Sequence, residues 1–430
     1  MLRQSLKWIV FTFLLITAII AVFAVFSKSF WPEPNNTEAP FPVADVPAPT
    51  PAATTSPSPA PAPVSTDTPS PAPTPLSDEA RIQAYIRSMG INEKLGQLVL
   101  FGFSGTSSPS SSYQKIFDEY AVGNYMLYGA NVQPDDDDGG FSRTARLTAT
   151  LRRQIRCDIA PFIGIDVEGG EVVRFTFDQR PLSAKSLGDI GDEVLAREQF
   201  ESIGLALLDC GVNLDLSPVL DIAKEPMRTF LTTRIISRDA GTASRIGAAM
   251  IDGLHRAGCL SVGKHFPGHG ATNADSHQTT PVVNASLEAM LGYELIPFSA
   301  GIAAGVDMML VAHIAYPQLD GNDIASMSHT IISVLLREQM GFSGVVMSDD
   351  FRMGGLTGRY ETGEAAVRFI KAGGDLILCG AKSEYQLLIM QALHSAAADG
   401  RLDEARIDES VYRILLLKFR SGLWSPQPMI

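Results

Sequence analysis

The residues best suited to chemistry lie close together, in the segments 264–270 (KHFPGHG) and 275–277 (DSH). Three of the seven histidines of the chain, one lysine and one aspartate fall within the 14 positions 264–277. Imidazole and carboxylate groups are common general acids and bases, and imidazole is also a common metal ligand. An apolar run at 259–262 precedes them, which predicts a strand that ends in a loop carrying catalytic groups.

Further polar residues follow other apolar runs in the same way. Asp166, Asp221, His313, Asp349 and Asp350 each lie at or directly after the end of a predicted strand. In a barrel of parallel strands these ends converge on one face, where barrel enzymes keep their active sites. The alternative is that such a residue only caps the following helix, and we favour that interpretation for Asp350.

The elements that must position these residues alternate along the chain from residue 77. Nearly continuous apolar runs predict parallel strands buried on both faces, and helical patterns such as 243–257, 287–304 and 409–420 follow or lie between them. The alternation predicts an α/β fold of the (β/α)8 TIM-barrel type. A doubly wound open sheet is the main alternative, weakened because no G-x-G-x-x-G follows the early strands. The predicted strands are 98–103, 122–128, 162–166, 212–220, 260–264, 308–312, 344–348 and 375–379.

The N-terminal region predicts export. Residues 8–26 form an uncharged apolar run that would rise about 28 Å as a helix, close to the thickness of a bilayer core. Arg3 and Lys7 precede it, which predicts a cytoplasmic N-terminus and a single-pass anchor over 1–30. The alternative is a cleaved secretory signal, which would release the protein, although such apolar regions are usually shorter.

A linker and one large domain are predicted after the anchor. Residues 31–76 are dominated by Pro, Ala, Ser and Thr, a composition that cannot bury a core and forms an extended spacer. Residues 77–430 are sufficient for one catalytic domain, and no second globular domain is expected after it. The predicted location is therefore the cell membrane, with the catalytic domain outside the cytoplasm.

Charge and cysteine usage exclude some partners. The formal net charge is −13 and no basic run stands out, which argues against nucleic acid as a partner. The cysteines Cys157, Cys210, Cys259 and Cys379 are scattered beside apolar runs. Buried free thiols are therefore favoured over disulfides or a metal cluster.

The motifs resemble those of family 3 glycoside hydrolases, in the β-N-acetylglucosaminidase branch. They run in family order over nearly the whole predicted domain, and the combination KHFPGHG…DSH is highly specific, whereas a single segment would be weak. The matching segments are 164–174 (GIDVEGGEVVR), 217–221 (SPVLD), 264–270, 275–277, 312–317 (AHIAYP) and 341–350 (GFSGVVMSDD).

The resemblance implies a retaining mechanism with three catalytic residues. Asp349 matches the family nucleophile, and hydrolysis with retention needs such a carboxylate together with a proton donor for the leaving oxygen. In this branch the donor is a histidine with an aspartate partner, matched here by His277 and Asp275. An imidazole titrates near neutral pH, so one residue can protonate the leaving group and later deprotonate water.

The resemblance also implies residues that hold the hydroxyl groups of the sugar. Asp166, Arg174, Lys264 and His265 match such positions, where charge-assisted hydrogen bonds are needed. A further family arginine is best matched by Arg238, with Arg234 as a competitor. Three other residues are given supporting or undecided roles: Glu168 as structural support, His269 as a shaper of the loop, and His313 as either a pocket residue or a packing residue.

The function that this resemblance implies is that of an exo-acting β-N-acetylhexosaminidase, releasing terminal β-linked N-acetylglucosamine through a covalent glycosyl-enzyme. The expected partner is a carbohydrate, with peptidoglycan fragments as the natural substrate in that location, and no cofactor or metal is expected. Within the family, a β-glucosidase or a phosphate-accepting enzyme remains open. Outside it, the alternatives are a non-catalytic surface sugar-binding protein and a metal-dependent barrel hydrolase. The possible ligands for such a metal are His265, His269 and His277 with Asp166 or Asp349.

Overall fold

Eight parallel strands form one sheet. In chain order, β1–β8 are Val99–Gly102, Tyr125–Met126, Ile163–Ile165, Leu214–Asp215, Leu260–Phe266, Met308–Val311, Val345–Ser348 and Ile377–Cys379. Each strand from β1 to β7 pairs with its sequence neighbour. Strand β8 pairs with β1, with Ile377 opposite Val99, and a single bridge between Met347 and Leu376 joins β7 to β8. The sheet therefore closes on itself, and the predicted (β/α)8 barrel is confirmed over the open sheet.

The structure, a computed structural model, describes residues 77–133, 138–155, 158–224, 231–272 and 274–426. The predicted anchor, the predicted linker and Cys157 lie outside these residues. Across the described ranges, none of the helices combines the length and apolar character needed to cross a membrane. Cys210, Cys259 and Cys379 are buried free thiols, as predicted, and burial raises the pKa of Cys210 to about 12.

Helices follow or separate the strands and cover the sheet. The strands are buried along their whole length, as expected for parallel strands covered by the barrel interior and by helices. Helix ends agree with local sequence, since Asp239 accepts the backbone N–H of Thr242 and caps the helix Ala240–Ala257. The described helices are Asp78–Ser88, Ile91–Gln97, Ser111–Glu119, Gly129–Val132, Phe141–Gln154, Ala184–Ile190, Glu193–Asp209, Ala240–Ala257, Leu287–Leu291, Ile296–Ala303, Thr330–Gln339, Gly354–Thr357, Thr362–Ala372, Ser383–Ala398 and Glu404–Arg420, with short 3-10 turns at His269–Ala271 and Ala325–Met327.

The single helix predicted over 287–304 is wrong. The structure has two helices there, Leu287–Leu291 and Ile296–Ala303. Gly292 caps the first, and Pro297 lies in the first turn of the second, where its missing N–H costs no intrahelical bond. The apolar periodicity of the sequence continues across the break between the two helices, so it did not indicate where the first helix ends.

Buried charge at the amino ends of the strands holds the last helix to the barrel. Asp375, fully buried before β8, accepts from Arg337 at 2.5 Å and from Arg413 at 3.0 Å. Burial alone would raise the pKa of Asp375, but these arginines outweigh it and hold the pKa low. Lys418, on the same helix as Arg413, donates to Gln97 Oε1 at 2.8 Å just before β1. This face therefore supports stability and leaves the opposite face for chemistry.

Candidate active site

The carboxyl ends of the strands surround one cavity of about 340 Å³. It combines carboxylates, cations and imidazoles, which is the mixture that a polar substrate requires. Six of the eight site residues predicted from the sequence line it, namely Asp166, Arg174, Lys264, His265, His277 and Asp349. A seventh, Asp275, is hydrogen-bonded to His277, and the eighth, Arg238, lies elsewhere.

Asp349 is held rigidly at the end of β7. Its N–H donates to the carbonyl oxygen of Val311 on β6 at 3.1 Å, and its side chain accepts the N–H of Asp350 at 2.8 Å. Burial alone would raise the pKa of Asp349, but the imidazoles of His265 and His313 outweigh it and keep the pKa below its usual range. At neutral pH this residue is a carboxylate directed by a strand end, as a nucleophile requires.

Asp275 and His277 form a hydrogen-bonded pair. His277 Nδ1 lies 2.8 Å from Asp275 Oδ1, and the N–H of His277 donates to the same oxygen at 2.9 Å. Burial alone would raise the pKa of Asp275, but the backbone and imidazole of His277 outweigh it and lower the pKa. An imidazole held through Nδ1 presents Nε2 on its opposite edge, the arrangement of a general acid or base with an orienting carboxylate.

Four charges alternate in the floor of the cavity. The ammonium of Lys264 lies 2.8 Å from Asp166 and 2.6 Å from Glu168, and Arg234 donates two bonds to Glu168 at 2.7 and 2.8 Å. Arg174 extends the row, 3.6 Å from Asp166. Glu168 has both oxygens engaged, which supports the structural role expected from the sequence. The row places fixed donors and acceptors where sugar hydroxyls would bind.

Loss of the Glu168 charge should destabilise the fold in acid. Burial would raise the pKa of Glu168, but Lys264 and Arg234 outweigh it and lower the pKa to about 2. A carboxyl with a depressed folded pKa stabilises above its unfolded pKa, and that contribution is lost as pH falls towards the folded value. The difference in free energy of unfolding between the wild type and Glu168→Gln should be larger at pH 7 than at pH 2, by on the order of 3 kcal/mol. Urea denaturation from pH 7 to 2 measures the difference, and a pH-independent gap would contradict the assignment.

Asp221 holds the imidazole of His265 in place. Asp221 Oδ2 lies 2.6 Å from His265 Nδ1, and its other oxygen accepts the N–H of His269 at 2.6 Å. Burial would raise the pKa of Asp221, but His265 outweighs it and lowers the pKa. Asp221, predicted only as a strand-end residue, thus orients a residue of the cavity wall.

The two other buried histidines lie behind the cavity wall. His269 Nε2 lies 3.0 Å from the hydroxyl of Ser276, next to His277, which agrees with a role in shaping the loop. His313 Nδ1 lies 2.8 Å from the hydroxyl of Ser326, its ring packs against Phe351, and burial lowers its pKa. His313 does not line the cavity, so of the two roles left open the structure favours packing.

The assignment of Arg238 to the cavity is not supported by its position. Arg238 is exposed, and its Nε donates to the carbonyl of Lys224 at 3.1 Å. The hydroxyl of Tyr293 donates to the backbone carbonyl of Arg238. Arg238 directly precedes Asp239, the cap of the helix Ala240–Ala257, and it does not line the cavity. Arg234 lines the cavity instead, where it contacts Glu168. The spacing of residues along the sequence could not indicate that contact.

Matched substitutions separate the two arginines. Arg234→Lys should lower kcat/KM on an N-acetylglucosaminide by roughly 10- to 100-fold, because lysine keeps the charge but loses the two-pronged geometry. Arg238→Lys should stay within about twofold, since exposed cations contribute little. The measurement is steady-state kinetics of both variants, and a larger loss at Arg238 would restore the original assignment.

Sequence reasoning missed a second group of residues on the cavity wall. Asp350 does not cap a helix, since the next helix begins at Gly354; it accepts the N–H of Gly380 at 3.1 Å and pairs with Arg352 at 2.6 Å. Tyr128 donates to Asp350 at 3.2 Å, and burial raises the pKa of Tyr128 well above its usual range. The sequence signals were the positions of Tyr128 and Asp350 at the ends of predicted strands, and Asp350 was interpreted as a helix cap.

Asp215, at the end of β4, was also missed. It is fully buried, accepts the N–H of Val167 at 2.9 Å and accepts the hydroxyl of Ser217 at 2.8 Å. Burial raises its pKa to about 8. By binding Val167 it fixes the turn that carries Asp166 and Glu168 into the cavity.

The histidines and carboxylates proposed as metal ligands are spread over several separate contacts. Among the described residues, no group of three or more His, Cys, Asp or Glu side chains is arranged to hold a metal ion. His265 Nδ1 is engaged with Asp221, His269 Nε2 with the hydroxyl of Ser276, and His277 Nδ1 with Asp275. One ring nitrogen of each histidine that the sequence suggested as a ligand is therefore engaged in another contact, and the ammonium of Lys264 lies 2.8 Å from Asp166.

The barrel and its cavity place the chain in a known class of hydrolase. Residues 90–417 match the family described as glycosyl hydrolase family 3 N terminal domain, and the chain belongs to that family.

Three relatives are informative. The chain is 28% identical over 331 residues to beta-hexosaminidase A of Pseudoalteromonas piscicida, covering 71% of this chain and 54% of that protein. It is 32% identical over 293 residues to a beta-hexosaminidase of Tolumonas auensis, covering 66% of this chain and 83% of that protein. It resembles the structure of a family 3 beta-N-acetylglucosaminidase from Paenibacillus sp. str. FPU-7 with TM-score 0.74 and 34% identity, covering 78% of this chain and 63% of that one. The chain thus spans only about half to two thirds of the first and third of these proteins.

Proposed function

We propose that the chain is a retaining exo-β-N-acetylhexosaminidase that releases terminal β-linked N-acetylglucosamine through a covalent glycosyl-enzyme. The observation that carries the proposal is that Asp349 and His277 line the same cavity, with His277 backed by Asp275. One carboxylate and one proton donor are what retaining hydrolysis needs. The names of the relatives, which are hexosaminidases and an N-acetylglucosaminidase, support this activity.

In the first step, Asp349 attacks the anomeric carbon while His277 protonates the leaving oxygen through Nε2. In the second step, the neutral imidazole takes a proton from water, and that water displaces Asp349 from the sugar. Asp275 stabilises the imidazolium that donates the proton in the first step and that forms again when water is deprotonated in the second. Each step inverts the anomeric carbon, because Asp349 attacks the face opposite the leaving group and water then attacks the face that the leaving group left. The product therefore keeps its β configuration.

Substrate binding is assigned to the row of charges in the cavity floor. Asp166 and Lys264 offer an acceptor and a donor 2.8 Å apart, the arrangement that neighbouring sugar hydroxyls complement. Arg174, His265 and Arg234 complete the set that would hold the non-reducing sugar. A floor closed by paired charges admits one terminal residue, which favours exo action.

The location is proposed from the sequence alone. Residues 8–26 would anchor the chain in the membrane, 31–76 would act as a spacer, and 77–430 would form the catalytic domain outside the cytoplasm. Fragments of peptidoglycan are the N-acetylglucosamine-containing glycans present in such a location. They are therefore the substrate we propose.

A paired assay tests the function. The full chain is given an aryl β-N-acetylglucosaminide and the matching β-glucoside, each with and without a chelator and with water or added phosphate as acceptor. Chelator-resistant release from the N-acetyl substrate, with free sugar as the product, is expected. Preference for the glucoside or formation of a sugar phosphate would replace the proposal with another activity of the family. Loss of activity with chelator would favour the metal hydrolase, and silence on both substrates would favour a binding protein.

A further inference from the structure

The loop that carries Asp275 and His277 rests on two consecutive glycines, Gly354 and Gly355, which we call the diglycine step. The N–H of Gly354 donates to the carbonyl of His277 at 3.0 Å, and the N–H of Gly355 donates to that of Ser276 at 2.9 Å. The hydroxyl of Thr280 returns a bond to the carbonyl of Gly355 at 2.7 Å. Three hydrogen bonds thus hold the loop to one short segment.

The backbone of the loop approaches the diglycine step so closely that a side chain at either glycine would collide with it. A Cβ atom at Gly354 would lie 2.5 Å from the carbonyl oxygen of Gln278 and 3.0 Å from that of His277. At Gly355 it would lie 2.9 Å from the oxygen of Ser276. Neither glycine has a positive φ, so any side chain there is opposed by the loop backbone and not by its own conformation.

The backbone of the loop must do most of the positioning, because the side chains of the pair are partly in solvent. The side chain of His277 is 60% exposed and that of Asp275 is 31% exposed. Packing contributes little to fixing an imidazole exposed to that degree. Ser276 between them is buried, bonded through its hydroxyl to His269 and through its carbonyl to the diglycine step. The peptide of Ser276 is therefore the fixed point of the loop.

The diglycine step also follows Asp349 closely along the chain. Gly354 lies five residues after Asp349, which is itself fixed to β6 through Val311. One segment, 349–355, thus carries the nucleophile and supports the loop with the acid. A shift of the loop against this segment changes the distance between the two groups directly.

We infer that the diglycine step is a positioning element for the acid/base pair, setting where the imidazole of His277 stands relative to Asp349. The inference rests on the proposed function. Its distinctive consequence is that a side chain at Gly354 should impair proton transfer selectively, because the atoms it would displace belong to the loop of the acid. Sugar binding and nucleophilic attack should be affected less.

The test compares Gly354→Ala with Gly292→Ala on aryl β-N-acetylglucosaminides whose leaving groups range from good to poor. Gly292 is exposed and does not line the cavity, and a Cβ there would come no nearer than 3.5 Å, to the carbonyl oxygen of Glu288. For Gly354→Ala, kcat/KM should fall roughly 10- to 100-fold with poor leaving groups and less than about threefold with good ones. Gly292→Ala should track the wild type across the series. Added azide should restore kcat of Gly354→Ala on good leaving groups, since azide needs no general base.

A second variant keeps the test decisive if Gly354→Ala does not fold. Thr280→Val removes the bond to Gly355 at nearly constant volume, and it should show the same leaving-group dependence with a smaller amplitude. An equal loss across the series in the folded variants would overturn the inference while leaving the proposed function intact. A wild type silent on every substrate would instead overturn the proposed function itself.

Discussion

Asp349→Ala should abolish hydrolysis of aryl β-N-acetylglucosaminides, with kcat falling by at least on the order of 10⁴-fold, the scale of losing a nucleophile in covalent catalysis. The side chain is half-buried at a rigid strand end, and its pKa is held low by His265 and His313. Asp350, the adjacent carboxylate, is committed to Arg352 and Gly380. The measurement is kcat with a good leaving group, where protonation by the acid contributes least.

Two controls make the loss of activity specific to the nucleophile. Asp189→Ala removes an exposed surface carboxylate paired with Lys185 and should behave as the wild type. Azide should partly rescue Asp349→Ala by entering the space left by the carboxylate, giving an α-glycosyl azide from a β-glycoside. Substantial unassisted hydrolysis by a folded Asp349→Ala protein would remove this residue as the nucleophile.

His277→Ala should slow substrates with poor leaving groups by about 10²- to 10⁴-fold in kcat/KM, the range that general acid catalysis supplies. Good leaving groups depart without protonation, so their kcat/KM should change only slightly. Their kcat should still fall, because the second step needs a base, and azide should restore it. Steady-state kinetics over a leaving-group series measures all three effects.

The matched control for this histidine is His329→Ala, which removes an exposed imidazole that does not line the cavity. It should leave the leaving-group dependence unchanged. Asp275→Asn should show the pattern of His277→Ala at reduced amplitude, because the imidazole keeps its place but loses the charge that stabilises its cation. Uniform losses in His277→Ala over the whole series would assign the proton donor to another group.

The barrel could be predicted because its strands are apolar on both faces. Seven of the eight predicted runs contain a strand, and the eighth, 260–264, lies within β5. At β3, β5 and β7 the polar residue at or directly after the end of the run is the one that reaches the cavity. Strand length was overestimated at 212–220, where pairing is limited to Leu214–Asp215 and one bridge from Val219. Hydrophobicity marks burial, whereas strand length depends on hydrogen-bond register with neighbours.

The site was predicted where the motif is local and missed where it depends on tertiary contacts. Lys264, His265 and His277 are close in sequence, so their spacing was visible. The choice between Arg234 and Arg238 depends on Glu168, which lies 66 positions from Arg234. No pattern along the chain encodes a partner at that distance.

The closure of the barrel makes the beginning and the end of the domain one structural unit. β1 pairs with β8, Tyr85 lies against Trp424 with ring centroids 4.9 Å apart, and Lys94 reaches Asp408 at 2.6 Å. In topological terms the domain is a closed ring, and its first and last segments make the closing contact. Until β8 is in place between β1 and β7, the segment that carries Asp349 and the diglycine step has one unsupported edge. Catalytic competence should therefore arise late in folding, when the most distant parts of the sequence meet.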